Sequence, residues 1–309
     1  MRDRRAQPGG IALGMLAGKW TVALLGELGD EPMRLAELER ALARVAHSTL
    51  SERLKELAGN GAVVSERVHG SGMHVESRLT ERGHELKELI ADAAILEREL
   101  RSARDARAPG ERIVRWLADP YTRAIRRALA DGPLSPAEIE RSRPGLAHST
   151  LLRRADLLVR AGLLRSAGRS GARRYELVDP CRRLARIVLR ASLYERRWAG
   201  PDESLQSDVR NHIHMIAPIA QLPSSLDGVC RLMAPGEPHV DIRAANGRLL
   251  AHHVAPNVAI EAIGRADADA WGRTLLFGDL EGIETTGDRE LLRAVVASLS
   301  GAISIRARP

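Results

Sequence analysis

The stretch Ala46-His-Ser-Thr-Leu50 occurs a second time, 101 residues later, as Ala147-His-Ser-Thr-Leu151. Similar residues occur before and after it at the same separation, from Thr21 and Thr122 as far as Val63 and Leu164. Beyond that point the matching residues lie 98 apart, so the second unit is three residues shorter near its end. A length change confined to one stretch marks a loop between conserved elements of a repeat. The first two thirds of the chain therefore contain two related units.

Each unit is predicted to contain three helices followed by two strands. In the first unit, helical spacing of apolar residues covers residues 20–28, 35–42 and 48–58, and β-leaning runs cover residues 62–68 and 74–79. The corresponding segments of the second unit are residues 124–130, 137–141, 149–160, 163–166 and 173–178. Three helices followed by a hairpin are typical of a winged helix, so the sequence predicts two winged helix-turn-helix units in tandem. Further helices are predicted at residues 86–100 and 182–198, where they connect or brace the units.

The charge distribution separates these units from the rest of the chain. Residues 1–204 contain 37 Lys and Arg against 28 Asp and Glu, whereas residues 205–309 contain 10 against 12. The balance changes at the turn-rich stretch Ala199-Gly-Pro-Asp202. We therefore expect an α+β protein with domains at residues 1–104, 105–204 and 205–309, called below the first repeat, the second repeat and the C-terminal domain. The excess of positive charge favours a polyanionic partner for the two repeats.

The C-terminal domain is predicted to be an α/β domain. A helix is expected at residues 206–217, and another, apolar one at residues 291–299. The strands between them are expected at residues 228–233, 239–243, 249–254 and 258–263. Asn246-Gly247 predicts a tight hairpin turn, because both positions of a type I′ turn need a positive φ.

Five motifs of the first repeat resemble a known family. They are Gly18-Lys-Trp-Thr21, Leu35-Ala-Glu-Leu38, Leu50-Ser-Glu-Arg-Leu54-Lys-Glu-Leu57, Gly61-Ala-Val-Val64 and Leu79-Thr-Glu-Arg-Gly83. Together, over residues 14–90, they are similar to the HxlR branch of the MarR-type winged-helix regulators. The second repeat has Asp119-Pro-Tyr-Thr122 and Leu177-Val-Asp-Pro180 in place of two of these motifs. Its resemblance to the family is inferred from its similarity to the first repeat. The resemblance implies a transcriptional regulator that binds double-stranded DNA, usually as a homodimer, although two units in one chain could also form that pair internally.

The third helix of each repeat is the candidate DNA reader, because a helix-turn-helix lays that helix in the major groove. Leu50, Leu54 and Leu57 share one face of the first such helix, which leaves polar residues on the other faces. The DNA-binding candidates of the first repeat are Ser48, Thr49, Ser51, Glu52, Arg53, Lys55 and His74. Those of the second repeat are Ser149, Thr150, Arg153 and Arg154 on the helix and Arg169, Arg173 and Arg174 on the wing. Arg can bond guanine in a bidentate manner and Glu can accept from cytosine.

Two of these assignments have a structural alternative. Thr49 and Glu52 have the spacing of a capping box, in which case Glu52 satisfies the start of its own helix. His47 and His148 recur in both repeats just before the reading helix, and such residues are turn formers as often as they are contacts.

The end of the chain, residues 226–302, is similar to a sterol-carrier-protein-like domain: a helix after the last long strand, a short strand and an apolar closing helix. That resemblance implies an apolar tunnel and a small apolar ligand. The lining candidates are Trp271, Leu275, Leu276, Ile283, Leu292, Val295 and Leu299. The same residues could equally be ordinary core residues. A ligand-responsive regulator is therefore the leading interpretation, and the main rival is a protein-interaction module with a C-terminal dimerisation or docking domain.

Other classes of protein have no support in the sequence. Neither His212-Ile-His214 nor His252-His253 has carboxylate or cysteine partners at ligand spacing, and Cys181 and Cys230 are far apart. No catalytic set or phosphate-binding loop is present, so we expect no enzyme activity and no cofactor. No apolar run approaches the roughly 20 residues that span a bilayer, so we expect a cytoplasmic, nucleoid-associated protein without membrane contact.

Overall fold

The computed structural model describes residues 9–43, 45–69, 73–100, 108–143, 145, 147–168, 173–198, 209–251 and 258–304. The first repeat consists of five helices and three short strands. In chain order they are α1 (Gly10–Leu16), α2 (Thr21–Glu27), β1 (Met33–Arg34), α3 (Leu35–Ala41), α4 (His47–Gly59), β2 (Val63–His69), β3 (Met73–Leu79) and α5 (Glu81–Glu99). The predicted three helices and hairpin are confirmed as α2, α3, α4, β2 and β3.

The hairpin and helix α4 form a compact winged helix-turn-helix. Strands β1, β3 and β2 make an antiparallel sheet in that order, with Val63 opposite Leu79. Leu50, Leu54 and Leu57 of α4 are buried, as the spacing of the leucines predicts. Burial of this face fixes the rotation of α4 and leaves its opposite face exposed.

The second repeat has a similar order of elements, but its described residues form no strand in place of β1 and two helices in place of α5. Its elements are α6 (Glu111–Ala118), α7 (Pro120–Ala128), a 3₁₀ turn (Leu129–Asp131), α8 (Pro136–Ser142), α9 (His148–Arg160), β4 (Leu164–Ala167), β5 (Arg174–Leu177), α10 (Asp179–Arg183) and α11 (Ala185–Trp198). Helices α8 and α9 begin and end 101 residues after α3 and α4. An isolated bridge between Leu134 and Tyr175 stands where β1 pairs with β3 in the first repeat.

Helices α1 and α6 were not predicted, and they hold the two repeats together. Helix α1 packs against α6, its own equivalent, and α5 packs against α11. The remaining contacts are reciprocal: α5 touches α6, and α1 touches α11. In a two-fold pair, a contact between two different elements occurs twice, once with each unit supplying the first element. The two repeats therefore form a pseudo-symmetric pair within one chain.

Two equivalent carboxylates close this interface. Glu195 of α11 accepts hydrogen bonds from the amides of Gly9 and Ala12 at the start of α1, at 2.9 and 2.8 Å. Glu97 of α5 accepts from the amide of Gly110 at the start of α6, at 2.5 Å. Each carboxylate satisfies amides that have no partner within their own helix. We call this pair the carboxylate clasps.

The described residues of the C-terminal domain form a five-stranded sheet and three α-helices. Its elements are α12 (Val209–Ile216), a 3₁₀ turn (Ala217–Ile219), β6 (Gly228–Met233), β7 (Val240–Ala245), β8 (Arg248–Leu250), β9 (Ala262–Arg265), α13 (Ala268–Phe277), β10 (Glu284–Gly287) and α14 (Arg289–Ile303). The strand order is β10-β9-β6-β7-β8, in which only β6 and β9 run parallel. The predicted hairpin turn is confirmed, with φ of 51° at Asn246 and 76° at Gly247.

Two strand predictions differ from the structure. The strand predicted at residues 249–254 ends at Leu250, and residues 252–257, which include His252 and His253, lie outside the described part of the chain. The strand predicted at residues 258–263 begins only at Ala262, where pairing with β6 starts. Residues 258–261 are described but form no strand, although the Glu261 amide donates to the Val229 carbonyl of β6 at 3.0 Å.

The C-terminal domain packs mainly against the second repeat. The buried guanidinium of Arg182 donates to the carbonyl of Ala130 in the second repeat and to those of His214 and Met215 in α12, at 3.3 to 3.4 Å. His214 Nδ1 lies 2.6 Å from Asp131 Oδ1. Helix α13 lies along α11, and α14 touches α10. These contacts make the whole molecule asymmetric although the repeats are paired symmetrically.

Candidate nucleic-acid interface

The outer face of α4 presents polar side chains to solvent. Ser48, Glu52 and Lys55 are exposed, and Thr49 and Ser51 are partly buried at its edges. The helix begins at His47, and its cap position, Ala46, makes no side-chain cap. The capping-box alternative for Thr49 and Glu52 is therefore wrong, because Thr49 lies inside the helix and not at its cap position. The exposed Glu52 carboxylate can meet a base edge or solvent.

The corresponding face of α9 has different chemistry. Ser149 and Arg153 are exposed, and Thr150 is partly buried. Within the described residues, the Arg153 guanidinium has no hydrogen-bond or ion-pair partner. Leu157, which the sequence reasoning did not select, is 46% exposed on the same face. Its spacing of four from Arg153 was the available signal, since such residues share one side of a helix.

Equivalent positions on the two helices carry opposite charges. Glu52 and Arg153 lie 101 residues apart and both occupy the middle of the exposed face. Glu56 and Leu157 form a second unlike pair, one turn further along. The two helices thus offer an acceptor in one repeat and a five-donor guanidinium in the other.

Arg53 and Arg154 lie at the flank of their helices rather than on the exposed face. Arg53 forms an ion pair with Glu56 of its own helix. Arg154 Nη2 lies 3.1 Å from Asp119 Oδ1, and Asp119 also caps helix α7 through the amide of Thr122, at 2.8 Å. The Arg154–Asp119 ion pair connects α9 to the start of α7, whereas the Arg53–Glu56 ion pair lies within α4 itself, and both arginines are only partly exposed.

The wing candidates of the two repeats have intramolecular partners. In the first repeat, His74 Nε2 lies 2.8 Å from Glu76 Oε1, and hydrogen bonds from His74 and Arg34 lower the pKa of the Glu76 carboxyl. In the second repeat, Arg173 Nη2 lies 3.0 Å from Asp156 Oδ1. Arg174 Nη2 lies 3.1 Å from Glu138 Oε2. Arg169 and both wing tips lie outside the described residues.

His47 and His148 make the same contact in both repeats. The Nδ1 atom of each ring lies 2.5 Å from the Oε1 atom of a glutamate on the preceding helix, Glu39 or Glu140. These glutamates are 101 residues apart, as the histidines are. Each ring therefore joins the two helices of the helix-turn-helix, a role that the sequence reasoning left undecided between turn and contact.

The predicted ligand-lining residues belong to the hydrophobic core of the C-terminal domain. Trp271, Leu275, Leu276, Leu292, Val295 and Leu299 are buried, and Ile283 is partly buried against them. The indole of Trp271 donates to the carbonyl of Met233 at 2.9 Å. Leu276 also reaches a cleft at the domain junction, which is described below.

Other site chemistry is sparse. Cys181 and Cys230 are both buried and unbridged, and burial raises the pKa of the Cys230 thiol to about 12. Over the described ranges, no group of three or more His, Cys, Asp and Glu side chains could hold a metal ion. None of the described helices is long and apolar enough to cross a membrane.

Comparison with known proteins identifies the first repeat. Residues 15–101 match the model of the HxlR-like helix-turn-helix family. The HTH-type transcriptional regulator YdzF of Bacillus subtilis, itself uncharacterized, is 38% identical over 90 residues, which are 29% of this chain and 82% of that protein. An uncharacterized HTH-type transcriptional regulator of Halalkalibacterium halodurans is 31% identical over 86 residues, 28% of this chain and 76% of that protein.

A solved structure described as a MarR-family regulator of Porphyromonas gingivalis W83 is 27% identical, with a TM-score of 0.28, and the match covers 29% of this chain and 87% of that one. This chain covers most of the length of both sequence relatives at more than 30% identity. The chain belongs, through residues 15–101, to the HxlR-like helix-turn-helix family.

Proposed function

We propose that the protein is a transcriptional regulator in which two tandem winged helix-turn-helix units bind one duplex together. In this proposal α4 and α9 enter major grooves on the same side of the DNA, and the two wings contact the flanking backbone. Residues 1–104 and 105–204 are the two DNA-binding domains, and residues 205–309 form a sensing domain. Family membership of the first repeat supports the DNA-binding role.

The reciprocal packing of the repeats is the observation that carries this proposal. Helix-turn-helix proteins bind as symmetric pairs, because two recognition helices must face successive major grooves about one helical turn apart. Here the contacts of α1 with α11 and of α5 with α6 supply that symmetry within one chain. The carboxylate clasps at Glu195 and Glu97 repeat the same chemistry on both sides of the pseudo-axis.

The exposed faces of α4 and α9 supply the chemistry for base readout. The free guanidinium of Arg153 suits the O6 and N7 atoms of guanine, and the Glu52 carboxylate suits the N4 amino group of cytosine. The exposed Leu157 can contact a thymine methyl group. Arg173 and Arg174 lie on the second wing and form ion pairs with Asp156 and Glu138. If DNA phosphates replace these carboxylates, the two arginines position the protein on the DNA backbone.

The proposal is tested by selecting duplexes with the full-length chain and measuring affinity by fluorescence anisotropy over a range of salt concentrations. We expect the logarithm of the affinity to fall with the logarithm of salt at about −0.9 per neutralised phosphate. Arg153→Ala should weaken binding to the selected site by about 1–3 kcal/mol and binding to random DNA by less. Arg210→Ala, which removes an exposed arginine from α12, is the matched control.

Two results would overturn the proposal. Failure of the folded chain to select or retain any duplex at low salt would reassign the winged helices to protein interaction. Equal losses for Arg153→Ala on selected and random DNA would make Arg153 a phosphate contact and remove the base readout assigned to α9.

We further propose that a small organic ligand of the C-terminal domain changes DNA affinity. The support is the contact of this domain with the second repeat through Arg182, His214 and α13, since a sensor must touch the element that it biases. The six buried lining candidates pack as core, so the sterol-carrier-like tunnel remains a prediction.

A further inference from the structure

A cleft of about 790 Å³ lies where three helices from the three predicted domains meet. Its walls are α5 of the first repeat, α11 of the second repeat and α13 of the C-terminal domain. The volume falls in the usual range of small-molecule sites, about 300–1,000 Å³. A molecule bound there would touch both DNA-binding units and the C-terminal domain at once.

Each helix contributes one row of side chains to the cleft. Helix α13 presents Asp269, Arg273 and Phe277, at successive spacings of four. The rows of the other two helices are Arg190, Leu193, Tyr194 and Arg197 on α11 and Glu81, His84, Glu85 and Glu88 on α5. Spacings of three and four place residues on one face of a helix. All three rows therefore face the same space.

The charged groups around the cleft are paired, with one exception. Arg197 lies 2.6 Å from Glu81, and Arg190 lies 2.8 Å from Asp92. Arg196 forms an ion pair with Asp269, and His84 Nε2 lies 2.9 Å from Asp30. The exposed guanidinium of Arg273 has no hydrogen-bond or ion-pair partner among the residues that the structure describes. It is the cation available to an incoming acidic group.

The apolar part of the cleft lies beside Arg273. Phe277, one helical turn away on α13, is 64% exposed. Leu276 and Leu193 line the wall below it, and Leu193 seals the contact between α11 and α13 by packing on Gly272. An exposed phenyl ring next to an unpaired guanidinium suits a ligand with an apolar body and an anionic end.

We propose that this cleft binds an amphipathic organic anion, with its acidic group on Arg273 and its apolar body against Phe277, Leu276 and Leu193. A ligand bound in the cleft would set the distance of α13 from α5 and α11. It would thereby change the relative orientation of the two repeats, to which α5 and α11 belong. The effect on DNA rests on the proposed function, but the binding site itself does not. By linkage, a ligand that weakens DNA binding ten-fold is bound ten-fold more weakly by the DNA complex.

The binding test uses the full chain without DNA and the fluorescent aromatic sulfonate 8-anilinonaphthalene-1-sulfonate as the probe. Decanoate and decanol then compete with it, because they share an apolar body and differ in the charge of the end group. We expect decanoate to displace the probe at concentrations at least ten-fold below those of decanol. Arg273→Gln should abolish that preference, and Phe277→Ser should weaken both competitors. Arg243→Gln and Leu250→Ser, exposed on β7 and β8, are matched controls for charge and apolar surface.

The outcomes separate the site from the function. Probe binding that is absent, or unaffected by Arg273→Gln and Phe277→Ser, overturns the cleft as a ligand site, as do equal losses in the two controls. A DNA titration with and without decanoate then tests the coupling, and an unchanged DNA affinity at saturating decanoate overturns it. If the parent chain binds no duplex at all, the proposed function is refuted. The cleft as a ligand site is then decided by the probe measurements made without DNA.

Discussion

Glu195 holds the interface between the two repeats together and also has a strongly shifted pKa. Glu195 is 4% exposed, and its carboxylate accepts hydrogen bonds from three amides at the start of α1. Burial raises the pKa of this carboxyl to about 7, while those amides and the nearby Arg123 favour the charged form. The balance gives the clasp a carboxyl that exchanges its proton near neutral pH.

We predict that the stability of the protein falls as pH rises from about 4.5 to 7 because of Glu195. The folded state binds the Glu195 proton more tightly than the unfolded chain does. The stabilisation that results is fully present below the unfolded pKa of 4.5 and is lost as pH rises through the folded pKa of about 7. At 1.36 kcal/mol per pKa unit the loss is of order 3 kcal/mol. Urea unfolding at pH 5, 6 and 7 measures it, and Glu195→Gln should flatten the trend. Parallel trends in the parent and the variant would contradict the assignment.

At the scale of elements, the short helices α1 and α6 connect the repeats through close backbone approach. Gly110 precedes α6 with a φ of +86°, and a Cβ atom there would lie 2.7 Å from the Ile90 carbonyl and 3.0 Å from the Ala94 amide. Any side chain would therefore be strained in φ and would also push α6 away from α5.

We predict that Gly110→Ala destabilises the protein by more than 1 kcal/mol, the rough cost of a strained left-handed residue, with a further cost from the displaced helix. Gly14→Ala in α1 is the control, because no atom lies within 4 Å of the added Cβ. Since alanine is the better helix former by about 1 kcal/mol, the control should be neutral or stabilising. Chemical denaturation compares them, and an unchanged midpoint for Gly110→Ala would refute the close approach.

The two reading helices permit a specificity exchange. If Glu52 and Arg153 occupy equivalent places in equivalent half-sites, Glu52→Arg should make the first half-site resemble the second. We expect the selected sequence to become more palindromic and to replace a cytosine contact by a guanine contact in one half. Repeated duplex selection with the parent and the variant measures this. Identical selected sequences would mean that Glu52 does not read a base. Glu27→Arg, at an exposed position of α2 outside the DNA-binding candidates, is the matched control for the change in charge.

The elements with a repeating apolar face could be predicted from sequence, and those defined by tertiary contact could not. Helices α4 and α9 were predicted within one residue at each end, because Leu50, Leu54 and Leu57 set a clear period. Helices α1 and α6 cover only seven or eight residues, too short for the period to stand out. Their signal was in the repeat itself, since Pro8-Gly9 and Pro109-Gly110 also lie 101 residues apart.

The exposed residues of the candidate site could be predicted from sequence, but the ion-pair partners of its arginines could not. The exposed residues of α4 and α9 follow from the same leucine period. The ion pairs of Arg154 with Asp119 and of Arg173 with Asp156 join residues distant in sequence, which periodicity does not reveal. The junction cleft likewise depends on the packing of α13 against α11, which no local pattern encodes.

At the scale of the whole molecule, the two repeats pack on each other within one chain through equivalent helices. The buried interface uses α1, α5, α6 and α11, so these helices are occupied within the chain. The C-terminal domain packs on the second repeat, where Arg182 donates to the carbonyls of His214 and Met215 and His214 contacts Asp131. Deleting that domain would uncover a buried guanidinium, so point variants test the molecule more cleanly than truncation does.

We therefore predict that a single chain occupies a complete operator. Titration of the selected duplex should give one chain per duplex, and the mass of the complex, measured by light scattering or sedimentation, should equal one 33.7 kDa chain plus DNA. Protection from cleavage should cover two half-sites with centres about 10 base pairs apart, and the half-sites should differ in sequence because Glu52 and Arg153 differ. A homodimer would instead protect two such pairs. Two chains on one pair of half-sites would contradict the internal pairing, because each chain would then contribute only one reading helix.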